Sequence, residues 1–312
     1  MTPGLSEDLL EVNDAHKTAM INNELRRLQM DIVALQETRL PATGNIREKD
    51  FTFFWQGKPP EEVREHGVGF AIRNRLLGSI VPPMEGSARI IKLKLHTAAG
   101  MVSLIHAYDT TLTSSNEAKD KFYDDLGLAL RDIPQQEPVF LLGDFNARVG
   151  YDHSSWHSCL GQFGFGKMDE SGPRLLEFCC RHDLCITNSF FDTKPLHKVS
   201  WRHPRSKHWH QLDLVLTGRS NLRNVKLTRS FQSADCDTDH SLAVCRNLPS
   251  ERNLQALCTA RSIVQQTARR CANDYWVRLC SSIQTAATVG NIRGMYEGIK
   301  QATGIHKTGR LL

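Results

Sequence analysis

The sequence predicts an α/β or α+β sandwich. Many short apolar or alternating runs read as strands, only a few helical patterns lie between them, and the alternation is too irregular for a (β/α)8 barrel. With 312 residues, 40% of them hydrophobic, the chain can bury one large core and carry an appendage.

The elements follow in order. From Ala15 to Leu28, Met20, Ile21, Leu25 and Leu28 fall at helical spacing. Asp31 to Leu35 is a buried strand, and Gln36-Glu37-Thr38 leaves its C-terminal end. Strands are expected at Phe51 to Trp55, Val68 to Ile72, Ala88 to Leu95 and Met101 to Ala107, several of them separated by Gly or Pro. Ser114 and Glu117 form a capping box that opens a helix through Ile133. Val139 to Leu142 is a further buried strand ending in Gly143-Asp144-Phe145-Asn146. A second helix runs from about Pro173 to His182, and strands follow at Cys185 to Asn188, Leu212 to Leu216 and Val225 to Arg229. From about Leu254, Leu257, Ala260, Val264, Ala268, Cys271, Tyr275, Leu279 and Ile283 step by three or four, the pattern of a long amphipathic helix that Gly290 ends or interrupts. A further helix is expected from Asn291 to Ala302.

Charge divides the chain. Residues 251–312 hold nine Lys/Arg against three Asp/Glu, which leaves 30 against 31 for residues 1–250. The first part is nearly neutral and the tail basic, as suits a polyanion or a solvated helix face. The tail helices could bind nucleic acid through Arg261, Arg269, Arg270 and Arg278, or pack on another chain or domain; the second reading is preferred. No apolar run approaches the ~20 residues of a membrane span, and Met1 to Leu5 do not open a secretory signal, so no membrane partner is expected. The nine Cys are odd in number and unpaired in spacing, which reads as reduced thiols of an intracellular protein. Cys179, Cys180, His182 and Cys185 match no standard zinc-finger spacing, and Cys179 shares the apolar side of its helix with Leu175, Leu176 and Phe178, so buried free thiols are expected there.

Polar side chains gather where strands end. Glu37, Tyr108, Asp144 with Asn146, Asp213, and Asp239 with His240 each stand at the edge of an apolar run. Gathered at one rim, they form the set that phosphodiester hydrolysis needs. Carboxylates such as Glu37 and Asp239 suit a hard cation. A carboxylate or His orients or deprotonates the attacking water, and His, Asn and Tyr donors stabilise charge on the phosphoryl oxygens. Singly each segment has a bland reading as turn or surface; the order and spacing of all five carry the argument. Trp201-Arg202-His203-Pro204-Arg205-Ser206-Lys207-His208-Trp209-His210 interleaves bases with aromatics just before Asp213. It reads as a DNA-facing loop with Trp201, Arg202, Arg205, Lys207 and His208 as contacts, against the alternative of a hairpin whose Trp packs on the sandwich.

These segments resemble the endonuclease/exonuclease/phosphatase superfamily. Asp31 to Leu40, Phe53 to Lys58, Gly67 to Ile72, Lys119 to Tyr123, Gly143 to Gly150 and His203 to His210 narrow the likeness to the endonuclease of RTE-type non-LTR retrotransposons and its craniofacial-development-protein-like relatives. The resemblance implies a DNase I-like four-layer sandwich over residues 1–249 and a basic helical segment, 250–312, that leads toward a reverse transcriptase. It implies a Mg²⁺-dependent DNA endonuclease, with Mn²⁺ as the alternative ion, that leaves a 3′-hydroxyl nick and uses no small-molecule cofactor. Glu37 and Asp239 would hold the metal and Tyr108 would contact the scissile phosphate. Asp144 would position or deprotonate the water, Asn146 would orient it, and Asp213 would pair with His240. Ser200 would offer a hydroxyl near the phosphate. A nuclear location follows if the chain acts on DNA, with the cytoplasm as the alternative.

The sequence departs from the family in three places. The family's opening strand, which ends in a Trp-Asn-Val-Arg-like segment, has no counterpart, so an inner strand, its Asn and some activity are expected to be missing. Asp109 stands where Pro is usual, which would loosen a turn, and Asp237 stands where an aromatic is usual. Two other functions stay open: a catalytically inactive nucleic-acid- or protein-binding remnant, and a small-molecule phosphatase of the same fold.

Overall fold

The computed structural model describes residues 18–19, 21–83, 86–231, 241–247, 257–259, 281–288 and 291–296. In chain order the elements are a helix α1 (21–27), strands β1 (Ile32–Gln36), β2 (Thr43–Arg47), β3 (Phe51–Gln56), β4 (Val68–Arg73), β5 (Ile80–Val81), β6 (Ile90–Thr97) and β7 (Gly100–Tyr108), then α2 (Asn116–Arg131), β8 (Val139–Asp144), α3 (Gly172–Arg181), β9 (Leu184–Ile186), β10 (Trp201–Arg202), β11 (Trp209–His210), β12 (Asp213–Gly218), β13 (Val225–Phe231), β14 (Leu242–Asn247) and β15 (Leu257–Thr259). One sheet runs β13-β14-β15-β1-β4-β3-β2, the other β5-β6-β7-β8-β12-β9, and β10-β11 form a separate hairpin.

Three apolar clusters define the layers. Ile32, Ala34, Phe70 and Ile72 of the first sheet meet Leu93, Leu104, Phe140 and Val215 of the second. Ile21 and Leu25 of α1 cover Val33, Leu35, Phe53 and Val244 on the outer face of the first sheet. Phe122 and Leu126 of α2, with Leu175, Leu176 and Phe178 of α3, cover Ile105, Leu141, Leu214 and Leu216 on the outer face of the second. Successive side chains of a strand point to opposite faces, so a strand covered on both faces reads as an unbroken apolar run. That is why Ile32–Leu35 of β1 and Val139–Leu142 of β8 look uniformly apolar. Four layers result: helix, sheet, sheet and helices, as the resemblance implied. No helix among the described residues is long and apolar enough to cross a membrane.

The details differ from expectation in four ways. The cap of α2 is Ser115, whose hydroxyl accepts from the Ala118 N–H, one residue past the expected Ser114. Strands β2 and β14 were not read from the sequence; β2 alternates exposed and half-buried residues with little apolar signal. Leu257, near the start of the expected long helix, lies in β15; residues 260–280, with Arg261, Arg269, Arg270 and Arg278, lie outside the described residues, and helix is found at 281–288 and 292–296. An inner strand was expected to be missing, yet β1 is paired on both sides, by β4 and by β15, which lies parallel to it (Ile32 opposite Leu257, Ala34 opposite Thr259) and antiparallel to β14. A strand between two neighbours satisfies backbone groups that an uncovered edge leaves unpaired. Two compact units divide the chain, Met1–Val264 and Gln265–Leu312.

Candidate active site

The register of the second sheet builds the site. Tyr108 of β7 lies opposite Asp144 of β8, and Asp144 opposite Asp213 of β12, so three neighbouring strands end at one level with three polar residues in a row. β7 and β8 are parallel and joined through α2, which puts both C-terminal ends on the same rim. Close strand approach there depends on Gly143, since a Cβ would sit 1.8 Å from the Ala107 carbonyl oxygen.

The first sheet adds Gln36 and Glu37. In a continuing strand these two side chains would point to opposite faces. Glu37 instead takes a left-handed backbone, φ 53°, which breaks the alternation. Both neighbours then reach the other sheet: Gln36 Nε2 donates to Asp213 Oδ1 at 2.9 Å, and the Tyr108 hydroxyl donates to Glu37 Oε1 at 2.7 Å. A closed circuit results, Glu37 to Tyr108 to Asp144 to Asp213 to Gln36 and back along the chain. Its members are almost sealed, with Glu37 7%, Tyr108 4%, Asp144 0% and Asp213 1% exposed.

Asn146 also has a left-handed backbone, φ 44°. Its N–H donates to Asp144 Oδ1 at 3.0 Å and its Nδ2 to the Asp109 carbonyl at 3.1 Å. Asp109 does not loosen its turn. Its N–H donates to the Asp144 carbonyl, a bond Pro could not make, and its Oδ1 accepts from the Thr110 N–H. Burial pushes the Asp109 carboxyl up to about 7, and the nearby Asp144 adds to the shift.

Cations border the acids. An Arg39 nitrogen lies 3.6 Å from Glu37 Oε2. Arg89 donates to the carbonyls of Tyr108 and Asp109, both at 3.0 Å, and its other terminal nitrogen meets His66 Nε2 at 3.0 Å. Burial, then Arg89 and Lys58, hold His66 below its usual pKa, which suits a neutral ring facing a guanidinium. Behind the rim, His106 is fully buried between the sheets, edge-on to Phe70 and beside the Gly69 backbone. Burial lowers its pKa to about 3 against the opposing charge of Asp213.

Ser200 is placed differently from expectation. It is buried, and its hydroxyl accepts from the N–H groups of Leu212 and Asp213 at 3.1 and 2.9 Å. Its carbonyl accepts from the Ser241 N–H, so it fixes Asp213 beside the chain that follows His240. Asp237, Asp239 and His240 themselves lie outside the described residues. The hairpin β10-β11 stands next to Ser200 and Asp213 in the chain. Arg202, Arg205, Lys207 and His208 are exposed on it, Arg202 stacks over Trp209 with 5.8 Å to the ring centroid, and Trp201 lies against His203 and His210.

Endonuclease/exonuclease/phosphatase family sequences match residues 10–233. The chain belongs to this family. Among family relatives, craniofacial development protein 2 of Bos taurus is 26% identical over 230 residues, which cover 74% of this chain but 38% of that protein. The chain thus spans about two-fifths of that relative's length. Two solved family folds are similar. The endonuclease domain of TRAS1, a telomere-specific non-LTR retrotransposon, has a TM-score of 0.53 at 14% identity, covering 76% of this chain and 94% of that domain. The 3′ phosphatase NExo from Neisseria, bound to a product DNA hairpin, has a TM-score of 0.50 at 18% identity, covering 73% and 95%.

Family members use a divalent metal, and the donor chemistry at this rim can be set against that need. Among the described residues no three His, Cys, Asp or Glu side chains converge on one point. A cation such as Mg²⁺ needs only one or two protein carboxylates and takes its other ligands from water and substrate phosphate. Glu37, an oxygen donor and the most exposed member of the circuit, fits that requirement. Sequence reading named Glu37, Tyr108, Asp144, Asn146 and Asp213, which the structure brings together. It missed Gln36, His66, Arg89 and Asp109 as parts of the site. Gln36 and His106 could have been noticed as polar residues inside apolar strands; Arg89 and His66 carry no local signal.

Proposed function

We propose that the unit Met1–Val264 is a Mg²⁺-dependent endonuclease that cuts a DNA strand to leave a 3′-hydroxyl. The observation that carries this reading is the closed circuit of Glu37, Tyr108, Asp144, Asp213 and Gln36 at one rim, flanked by an exposed basic hairpin. A hydrolase built this way must hold a phosphate, aim a water at it and stabilise the charge that develops.

Each residue has a task in that scheme. A Mg²⁺ or Mn²⁺ ion on Glu37 and Asp239 would neutralise phosphate charge and stabilise the leaving oxygen. Tyr108, already donating to Glu37, orients that carboxylate and contacts the scissile phosphate. Asp144 accepts the proton of the attacking water, and Asn146, fixed by two hydrogen bonds, orients it. Asp213 would pair with His240, whose ring would donate to the phosphoryl oxygens. Ser200 holds Asp213 in place for that pairing. Arg202, Arg205, Lys207 and His208 meet phosphates along the duplex, and Trp201 stacks at a base or sugar. That the TRAS1 domain and the DNA-bound Neisseria enzyme share the fold supports a nucleic-acid substrate. In a retrotransposon setting the 3′-hydroxyl would prime reverse transcription.

The test is a plasmid assay. The full chain is incubated with supercoiled DNA and Mg²⁺ beside Asp144→Ala, and the nicked product is offered to a DNA polymerase. The expected result is nicked circles from the parent alone, extended without end repair. Equal traces from parent and variant overturn the reading and leave the binding-remnant alternative.

A further inference from the structure

We propose that Cys180 and Cys159 are a dithiol pair, open to oxidation to an intramolecular disulfide by a low-molecular-weight disulfide. The two Sγ atoms lie 3.6 Å apart, although the residues are 21 apart in sequence. Bond formation at about 2.05 Å asks for an approach of about 1.5 Å, within the reach of a side-chain adjustment. Their surroundings differ in a way that sets the order of reaction. Cys180 is exposed at the end of α3, and its sulfur lies 3.1 Å from the Ser158 hydroxyl. Cys159 is buried directly behind it, with its thiol toward the carbonyls of Trp156 and Leu176 at 3.7 and 3.8 Å.

The exposed thiol therefore meets the oxidant first. Cys180, as thiolate, attacks one sulfur of the small disulfide and releases one small thiol, leaving a mixed disulfide. Cys159 then attacks Cys180 Sγ, its sulfur bonds to Cys180, and the second small thiol departs with the Cys159 proton. Two protein thiols are oxidised and one small disulfide is reduced to two thiols. Burial and the neighbouring Cys180 push the Cys159 thiol up to about 12, so it stays inert toward outside reagents and reacts only with the sulfur beside it. Cys179 is sealed inside the helix packing and its thiol is pushed higher by burial, which keeps it out of the exchange.

The cross-link has a structural consequence near the rim. Cys159 belongs to the turn after His153, in a loop that continues from Asp144 and Asn146 and is held by the Arg148–Asp169 ion pair at 3.1 Å, three residues before α3. A bond from Cys159 to α3 ties this loop down at a second point.

The test treats the full native chain with oxidised glutathione, alkylates the remaining thiols and maps peptides by mass. The expected result is a loss of two alkylatable thiols from the nine, a peptide containing Cys159 joined to one containing Cys180, and a higher Tm that a reductant reverses. Cys180→Ser, at an exposed position, should lose the cross-link completely and leave Cys159 unmodified. A Cys180 that stops at the glutathione mixed disulfide, a cross-link to Cys185 or another thiol, or no oxidation at all overturns the proposal.

Discussion

Gln36 Nε2 donates to Asp213 Oδ1 at 2.9 Å across 177 residues of sequence, and this bond ties the two sheets together behind the rim. Both residues are sealed from solvent. Removing the donor would take one hydrogen bond from a buried carboxylate oxygen. Gln36→Ala should therefore destabilise the fold by about 1–3 kcal/mol, read as a lower urea midpoint. An unchanged midpoint would mean that the bond contributes nothing.

Tyr108→Phe removes the hydroxyl that donates to Glu37 while keeping the ring packed against Arg89 and His66. A charge-assisted hydrogen bond of this kind is worth about 1.5–3 kcal/mol. Nicking should fall by roughly tenfold to a hundredfold and should require more Mg²⁺ for half-maximal rate. Asp144→Asn, which removes the base, should cost roughly 10²–10⁴-fold at any Mg²⁺ concentration. The Mg²⁺ titration separates the two roles.

His106 and Asp109 should impose opposite pH dependences on stability. The folded pKa of His106, about 3, lies below its unfolded value near 6.5, so the folded state binds fewer protons between them and stability falls as pH drops through that window. The folded pKa of Asp109, about 7, lies above its unfolded value near 3.8, so stability rises as pH drops from 7 toward 3.8. Each slope is roughly 1 kcal/mol per pH unit, and between 3.8 and 6.5 they offset one another. His106→Leu should make the variant gain on the parent as pH falls from 6.5 to 4.5, and Asp109→Asn should make it lose. Urea titrations across that range decide it; parallel curves for all three proteins would refute both shifts.

Replacing Arg202, Arg205 and Lys207 together by Gln should weaken duplex binding with little effect on the rate at saturating DNA. If each meets a phosphate, the slope of log K against log salt should become shallower by about 0.9 for every phosphate that is no longer neutralised. A salt-independent loss of affinity would show that the hairpin acts through structure.

Cys258→Pro should lower Tm sharply compared with Cys258→Ser. Cys258 is the central residue of β15, paired with Val33 on one side and Val244 on the other, and Pro removes its N–H. Equal melting of the two variants would mean that β15 adds nothing to the sheet.

The sandwich was legible because β1, β8 and β12 carry unbroken apolar runs bordered by polar residues, a pattern that burial on both faces writes directly into the chain. The Asp144–Asn146 motif was legible for the same reason. Local pattern alone determined that Glu37, Tyr108, Asp144 and Asp213 stand at strand ends. Only the tertiary structure decided that they share a rim, since register between distant strands is set by packing across the sheets. Tertiary context also decided the roles of Gln36 and Leu257. A left-handed turn at Glu37 breaks the two-residue period, which would have sent Glu37 to the outer face with Val33 and Leu35 and left Gln36 alone facing Asp213, and the ladder beside β1 draws Leu257–Thr259 into a strand although their spacing is helical. Backbone groups inside a sheet must find partners, and that requirement outweighs a local preference for helix.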